Sequence, residues 1–333
     1  MAATATITTA RAPAANTRNF TIGFAVLTVV LIIAPFAGLY PVFLMKVLCF
    51  GLYACAFNLL LGYVGLLSFG HAMFLGTAGY VAAHAAKEWG LPPELAILAG
   101  TAVSAVLGAI VGLLAIRRQG IYFAMITLAI AQMIYFFYLQ APFTHGEDGI
   151  QSVPRGKLFG MIDLSNTLTM YFVVVVIFLL AFLLIYRIVN SPFGQVLKAI
   201  RENEPRALSL GYDADRFKLI AFVLSATLAG LAGATKSIVF QLASLTDVHW
   251  SMSGEVVLMV LLGGMGTIFG PLVGAALIIG LENYLSTGFT IGSFRFGPEW
   301  FTVINGIIFV VCVLAFRAGI VGVLSALWAK RRA

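Results

Sequence analysis

Ser191-Pro192-Phe193-Gly194, then Lys198-Ala199-Ile200-Arg201-Glu202-Asn203-Glu204-Pro205-Arg206, then Gly211-Tyr212-Asp213 form a polar island between two greasy runs. The runs that flank it, 168–186 and 218–240, carry almost no charge. Each is close to the ~20 apolar residues that a membrane-spanning helix needs. Each is also unbroken, whereas barrel strands would alternate over ~10 residues. The contrast therefore reads as two membrane helices joined by a charged, helix-prone loop. Connections in compact domains are usually ~4–6 residues, so this loop is long for a mere link. It has the character of a docking surface for a soluble partner, on a membrane subunit driven from outside itself.

The rest of the chain repeats the pattern. Of its 333 residues, 61% are hydrophobic and 10% charged, with a mean hydropathy of +1.02. Soluble domains carry ~25% charged residues, so the expected fold class is an all-α, polytopic integral membrane protein. The net charge of +7 does not indicate nucleic acid. The basic residues sit in short loops beside the spans, as the positive-inside rule predicts. Cys49, Cys55 and Cys312 lie in apolar runs and read as small buried hydrophobes. Their odd number and the lack of metal spacing argue against a disulfide framework.

Membrane segments are expected at 20–39, 42–61, 68–86, 94–116, 121–141, 168–186, 218–240, 255–285 and 300–316. Residues 1–19 read as a disordered cytoplasmic tail. The run 20–39 is too long for a signal-peptide core, and no small-residue cleavage site follows it. A single transmembrane domain then covers 20–316, with the charged loop at 187–217, and a basic cytoplasmic tail covers 317–333. Arg117-Arg118, the 187–217 loop and Lys330-Arg331-Arg332 mark the cytoplasmic side. The loop 142–166 sets Glu147, Asp148 and Asp163 against Arg155 and Lys157, which places it outside.

Nine single crossings would put the basic C-terminus outside, against the charge rule. The odd segment is 255–285, too long for one span and interrupted by Gly263-Gly264-Met265-Gly266-Thr267-Ile268-Phe269-Gly270-Pro271. A re-entrant element or a helix pair there leaves about eight full crossings and makes both termini cytoplasmic. A single tilted, kinked helix is the alternative. Broken backbone survives at membrane depth only against protein or a water-lined cavity, so the break is expected to lie in the interior.

Most candidate chemistry fails on inspection. Gly230 to Ser237 nearly spells a phosphate-binding loop, but Thr235 stands where a glycine must precede Lys236, and no strand comes before it. Lys236 at a helix end is expected to snorkel outward. His71, His84, His145 and His249 show no metal spacing. Lys46, Glu94, Lys218, Lys236, Glu255 and Glu282 all fall near segment ends, where charge is cheap. This leaves no buried proton relay, although a sodium-coupled carrier could use carbonyls and hydroxyls. Asn58, Ser68, His71, Tyr122 and Thr127, with Gly263 and Gly264, are the candidate translocation path. Each polar member alone is more often helix–helix glue than a cargo contact, and together they line a weakly polar route. The spacings Gly108/Gly112 and Gly266/Gly270/Gly274 favour close helix packing.

Four blocks carry a family resemblance. They are Leu61-Gly62-Tyr63-Val64-Gly65-Leu66-Leu67-Ser68-Phe69-Gly70-His71-Ala72-Met73-Phe74, then Arg118 to Ala129, then Ser191 to Tyr212, then Met259 to Gly274. Together they resemble the permease subunits of branched-chain amino-acid ABC importers, of the LivM type. The resemblance implies a permease for leucine, isoleucine or valine in a bacterial inner membrane, working by alternating access. It implies a second homologous permease chain, a periplasmic amino-acid-binding protein and two cytoplasmic ATP-binding subunits. ATP and Mg would sit on those ATPases, with no cofactor, metal or catalytic residue in this chain.

The ATPase-coupling helix would involve Arg201, Glu202, Glu204, Arg206 and Gly211. The family's Glu-Ala-Ala…Gly motif is altered here: Pro205 and Arg206 replace small residues, and Glu204 stands seven residues before Gly211 rather than six. The local chemistry agrees with a short helix over 204–210. Pro205 suits a first turn, Glu204 suits the positive helix end, and Gly211 suits a stop. The same machinery for urea or another small solute is a rival reading. A stand-alone secondary carrier or channel is another.

Overall fold

The computed structural model describes residues 14–286, 289–291, 294–296, 303–304, 306–307, 310 and 319–322. Its long helices are α1 (Ala14–Ile33), α2 (Pro41–Leu61), α3 (His71–Lys87), α4 (Pro93–Ala115), α5 (Ile121–Gln140) and α6 (Thr167–Asn190). After them come the short α7 (Pro192–Glu202) and α8 (Glu204–Ser209), then α9 (Ala214–Phe240), α10 (Trp250–Gly263) and α11 (Gly270–Ser286). Among the described residues, α2, α4, α5, α6 and α9 are long and apolar enough to cross a membrane. Shorter apolar helices cover Phe20–Ile33, Trp250–Gly263 and Gly270–Leu285. The expected segment 300–316 and Cys312 lie essentially outside the described residues.

Helix α2 is the axis of the bundle. Its side chains are buried without interruption from Leu48 to Leu60, because α6, α9, α10 and α11 enclose it. The outer helices bury one stripe each. In α4 the buried positions are Pro93, Ala96, Ile97, Gly100, Ser104, Gly108, Val111, Gly112 and Ala115, the three- and four-residue spacing of one helical face. Its other face, with Leu98, Val106, Ile110 and Leu113, is exposed. A greasy exposed face of that kind suits lipid or a second membrane chain.

Helices α3, α4 and α9 pack closely through small residues. A Cβ on Gly233 would lie 1.9 Å from the Leu75 carbonyl oxygen, and one on Gly100 would lie 2.4 Å from that of Ala78. Close backbone approach of this sort supplies van der Waals contact where lipid removes the hydrophobic drive between helices.

Several expectations need correction. Helix α1 starts at Ala14, inside the stretch expected to be a disordered tail. Adding residues to an existing helix is cheap, and Ala14 and Ala15 are good formers. Helix α3 starts at His71 rather than Ser68, after the irregular stretch 62–70. The fold also carries small antiparallel ladders; one pairs Ile150 with Ala243 and Gln151 with Leu242.

The region 255–285 is an antiparallel helix pair. Gly263 packs on the Gly270 carbonyl and Gly274 on that of Met259. Its break does not lie deep in the interior, however. It sits at the end of the bundle that carries 187–217, here termed the basic end. The irregular backbone at depth is instead 62–70. Helix α2 ends at the basic end, yet His71 bonds Ser225, eleven residues into α9. At 1.5 Å per residue that is roughly 16 Å along α9. Tyr63, Val64, Leu66 and Ser68 are buried on the way, which is how non-helical backbone is tolerated there.

Candidate coupling and translocation site

The basic end is built from capped short helices. Ser191 caps α7, its Oγ accepting from the Gly194 N–H at 3.3 Å, and α7 turns Leu197 and Ile200 inward. Asn203 caps α8, its Oδ1 accepting from the Arg206 N–H at 3.1 Å. Asp213 caps α9 through the Arg216 N–H at 3.2 Å. Helix α8 stops at Gly211, which has φ +88°. There the Gly211 N–H donates to Leu208 O at 2.9 Å and the Tyr212 N–H to Ala207 O at 3.2 Å. These are the paired bonds of a Schellman closure, and the left-handed turn is why a glycine stands there. Ala207 packs with Ile200 and Ala214 in a small separate core. Arg206, Leu208 and Leu210 remain exposed.

Two tethers bind this capped unit to the bundle. Glu204 Oε1 accepts from Lys218 Nζ at 2.5 Å and from Gln119 Nε2 at 2.9 Å. Lys218 stands on the second turn of α9 with its side chain 3% exposed, and Gln119 lies in the α4–α5 loop. Through Glu204, α8 therefore grips two parts of the bundle. The second tether is Arg201, whose guanidinium donates to the Gly62 carbonyl just past the end of α2.

The Gly-rich break closes the same joint. Asn58 Nδ2 donates to Thr267 O at 2.9 Å, and its Oδ1 accepts from the Gly266 N–H at 2.9 Å. Gly62, Tyr63, Lys198, Arg201, Glu202 and Gly266 line a cleft of about 410 Å³. Of the expected coupling residues, Arg201 and Glu202 thus face the bundle, Glu204 is tied to it, and Arg206 and Gly211 point outward.

The candidate path residues separate into groups. Ser68, His71 and Thr127 converge where α3 begins. The Gly70 N–H donates to Ser68 Oγ at 3.3 Å, and a Cβ on Gly70 would meet Thr127 O at 2.3 Å. Ser225 Oγ donates to Ala56 O at 2.6 Å and lies 2.8 Å from His71 Nε2. Since that hydroxyl proton is committed to Ala56, His71 donates through Nε2 and its Nδ1 is bare. The ring sits among Phe57, Phe74 and Phe222, with centroids at 5.0, 5.3 and 5.9 Å. Asn58, Gly263 and Gly264 belong to the basic-end joint instead. Tyr122 is 68% exposed on the outer face of α5 and joins neither group.

Reading the sequence missed Gln119, Lys218, Ser225 and Ser253. Ser253 Oγ accepts from the Ala72 N–H at 2.9 Å and ties α10 to the start of α3. Lys218 did have a signal, as a charge at the start of an apolar run that opens a few residues after the polar island. Lys236 was expected to reach outward; it turns inward to pair with Asp247.

Residues 41–313 match the family described as the permease component of the branched-chain amino acid transport system. The LivM permease of the high-affinity branched-chain amino acid transport system of Salmonella typhimurium is 28% identical over 245 residues, covering 67% of this chain and 58% of LivM. Escherichia coli LivM is 28% identical over 246 residues, with the same coverage. The chain thus spans a little under three fifths of the length of these relatives. The fructose import permease FrcC of Rhizobium meliloti is 26% identical over 240 residues, covering 68% of this chain and 63% of FrcC. No solved structure matches the chain. With its apolar helices and a match over most of its length, the chain is an integral membrane protein that belongs to the branched-chain amino acid transport permease family.

Proposed function

We propose that this chain is the membrane-spanning permease subunit of an ATP-driven importer that passes leucine, isoleucine or valine inward by alternating access. The observation that carries the reading is the double grip of Glu204 on Lys218 and Gln119. A push on the exposed face of α8 reaches α9 and the α4–α5 loop through one carboxylate, and reaches α2 and the α10–α11 turn through Arg201. In this reading two ATPases, which hold ATP and Mg, seat α8 in a cleft and move it as they close. A second permease chain forms the other half of the pathway, and a periplasmic binding protein delivers the amino acid. The basic end then faces the cytoplasm of a bacterial inner membrane, with both termini on that side. This chain supplies binding and motion and performs no bond chemistry.

The test is uptake and ATP hydrolysis in proteoliposomes holding the complete complex. Gly211→Pro removes the N–H that closes α8 and imposes a backbone angle opposite in sign to the observed one. We expect ATP hydrolysis to continue without its stimulation by leucine, while uptake falls about tenfold or more. Uptake at the wild-type level would end the lever reading. The similarity to the fructose permease favours one second reading, the same machine with a sugar as cargo. Loading the complex with sugar-binding or leucine-binding protein in parallel separates the two.

A further inference from the structure

The cleft at the basic end carries charge that the bundle does not answer. Three elements share its wall: Gly62 and Tyr63 just past α2, Lys198, Arg201 and Glu202 on α7, and Gly266 in the α10–α11 turn. Its volume of about 410 Å³ falls in the lower part of the ~300–1,000 Å³ range of small-molecule sites. Arg201 spends its guanidinium on the Gly62 carbonyl. Lys198 lies over the Tyr63 ring, 5.7 Å from the centroid. A ring face attracts an ammonium but offers no lone pair to its N–H groups. Glu202 stands one turn further along α7. Among the described residues, neither Lys198 nor Glu202 enters an ion pair. Glu204 and Asp213, on either side of α8, are both answered by bases, Lys218 and Arg216.

The two open charges select a class of ligand. With Arg201 the cleft holds two cations and one anion, so its field draws a carboxylate. A bare anion leaves Glu202 unanswered, and a bare cation leaves Lys198 unanswered. A small zwitterion answers both. The buried Tyr63 ring gives the same cleft an apolar wall for a greasy side chain.

We propose that this cleft binds a free amino acid from the cytoplasm, its carboxylate against Lys198 and its ammonium against Glu202, and that the bound molecule slows transport. The second half follows from where the cleft lies. A ligand there bridges α7 to the α10–α11 turn beside the Arg201 tether, and so holds the joint in the arrangement described. A ligand shifts a two-state equilibrium by its difference in affinity for the two states. Cytoplasmic product thereby checks its own import. This rests on the amino-acid importer reading above and adds to it a site on the exit side.

The experiment is uptake of labelled leucine by the complete complex in proteoliposomes, with ATP inside and loaded binding protein outside. Unlabelled leucine is placed in the lumen, and each protein is compared with itself at an empty lumen. Isocaproate and isoamylamine, which lack the amine and the carboxylate respectively, replace luminal leucine as probes. Lys198→Gln and Glu202→Gln are the variants, and co-elution of the ATPases checks assembly. We expect luminal leucine to inhibit the wild type, and each variant to need about tenfold more of it for the same inhibition. Each probe should inhibit about tenfold less well than leucine. Undiminished uptake against luminal leucine, in a wild type that imports leucine, overturns this inference alone. Equal inhibition of the wild type and Lys198→Gln overturns it too, and so does isocaproate or isoamylamine acting as strongly as leucine. Loss of the ATPases from Lys198→Gln also overturns it, and assigns the lysine to the ATPase seat. A wild-type complex that carries only solutes without an ammonium group removes the amino-acid cargo and this site together, and leaves the lever standing.

Discussion

The α3–α4–α9 core and the α7–α8 unit at the basic end are held by opposite means. In the core, backbone lies on backbone: Gly233 meets Leu75 and Gly100 meets Ala78 with no room for a single added carbon. At the basic end, α7 seats Leu197 against the bundle, and beyond that contact the two capped helices hang on a few polar bonds through Glu204 and Arg201, with Leu208 and Leu210 left in the open. Packed interiors resist continuous deformation, whereas polar tethers between separate elements can pivot. The difference teaches where motion can enter this molecule. In the importer reading proposed above, the core moves as one body and the capped unit is a handle on it.

The comparison breaks most readily in the core. Gly233→Val puts three carbons where not even one fits, and the overpacking should cost about 3 kcal/mol or more. Thermal unfolding of the purified chain in detergent should show a large fall in Tm. A wild-type Tm would mean that the core yields, and the rigid-body half of the comparison would go.

A smaller effect is expected at the joint between the two regions. Asn58→Ala strips the Gly266 N–H and the Thr267 carbonyl of their partners and should cost about 2 kcal/mol. Amide exchange should quicken over 264–269 while α3, α4 and α9 stay protected. Spread of the faster exchange into α9 would show that joint and core are one unit.

The smallest effect should come from the handle alone. Asn203→Ala removes the cap of α8, worth about 1 kcal/mol. We expect faster exchange within 204–209 and weaker leucine-dependent hydrolysis, with the Tm of the bundle unmoved. A matching fall in Tm would mean that α8 is part of the packed body rather than a handle on it.

The handle was legible in the sequence to a useful degree. Pro205 and Gly211 act on their immediate neighbours, so the short helix over 204–210 could be read almost as it is, ending one residue earlier at Ser209. The caps Asn203 and Asp213 follow the same local rule and were open to the same reading. The helix pair in 255–285 was foreseen because its length and its glycines are local facts. Its depth was misjudged. Whether a break lies at mid-bundle or at an end depends on its neighbours, and its neighbour Asn58 is 209 residues away from Thr267. The reverse error was made at 62–70, where nothing in the local pattern says that α3 begins deep within the bundle. Charges were likewise placed at segment ends from linear position alone, and the pairing of Lys46 with Glu282 and of Lys236 with Asp247 went unseen.

The sequence by itself determined a helical membrane protein with a capped, charged handle on one loop. Apolar run length, helix stops and family blocks are written along the chain and need no partner to be read. Only the tertiary structure decided what the short helix α8 is tied to, where the two irregular stretches lie and which charges pair across the bundle. Those answers depend on side chains far apart in sequence reaching the same few ångströms, and helix packing alone brings them there.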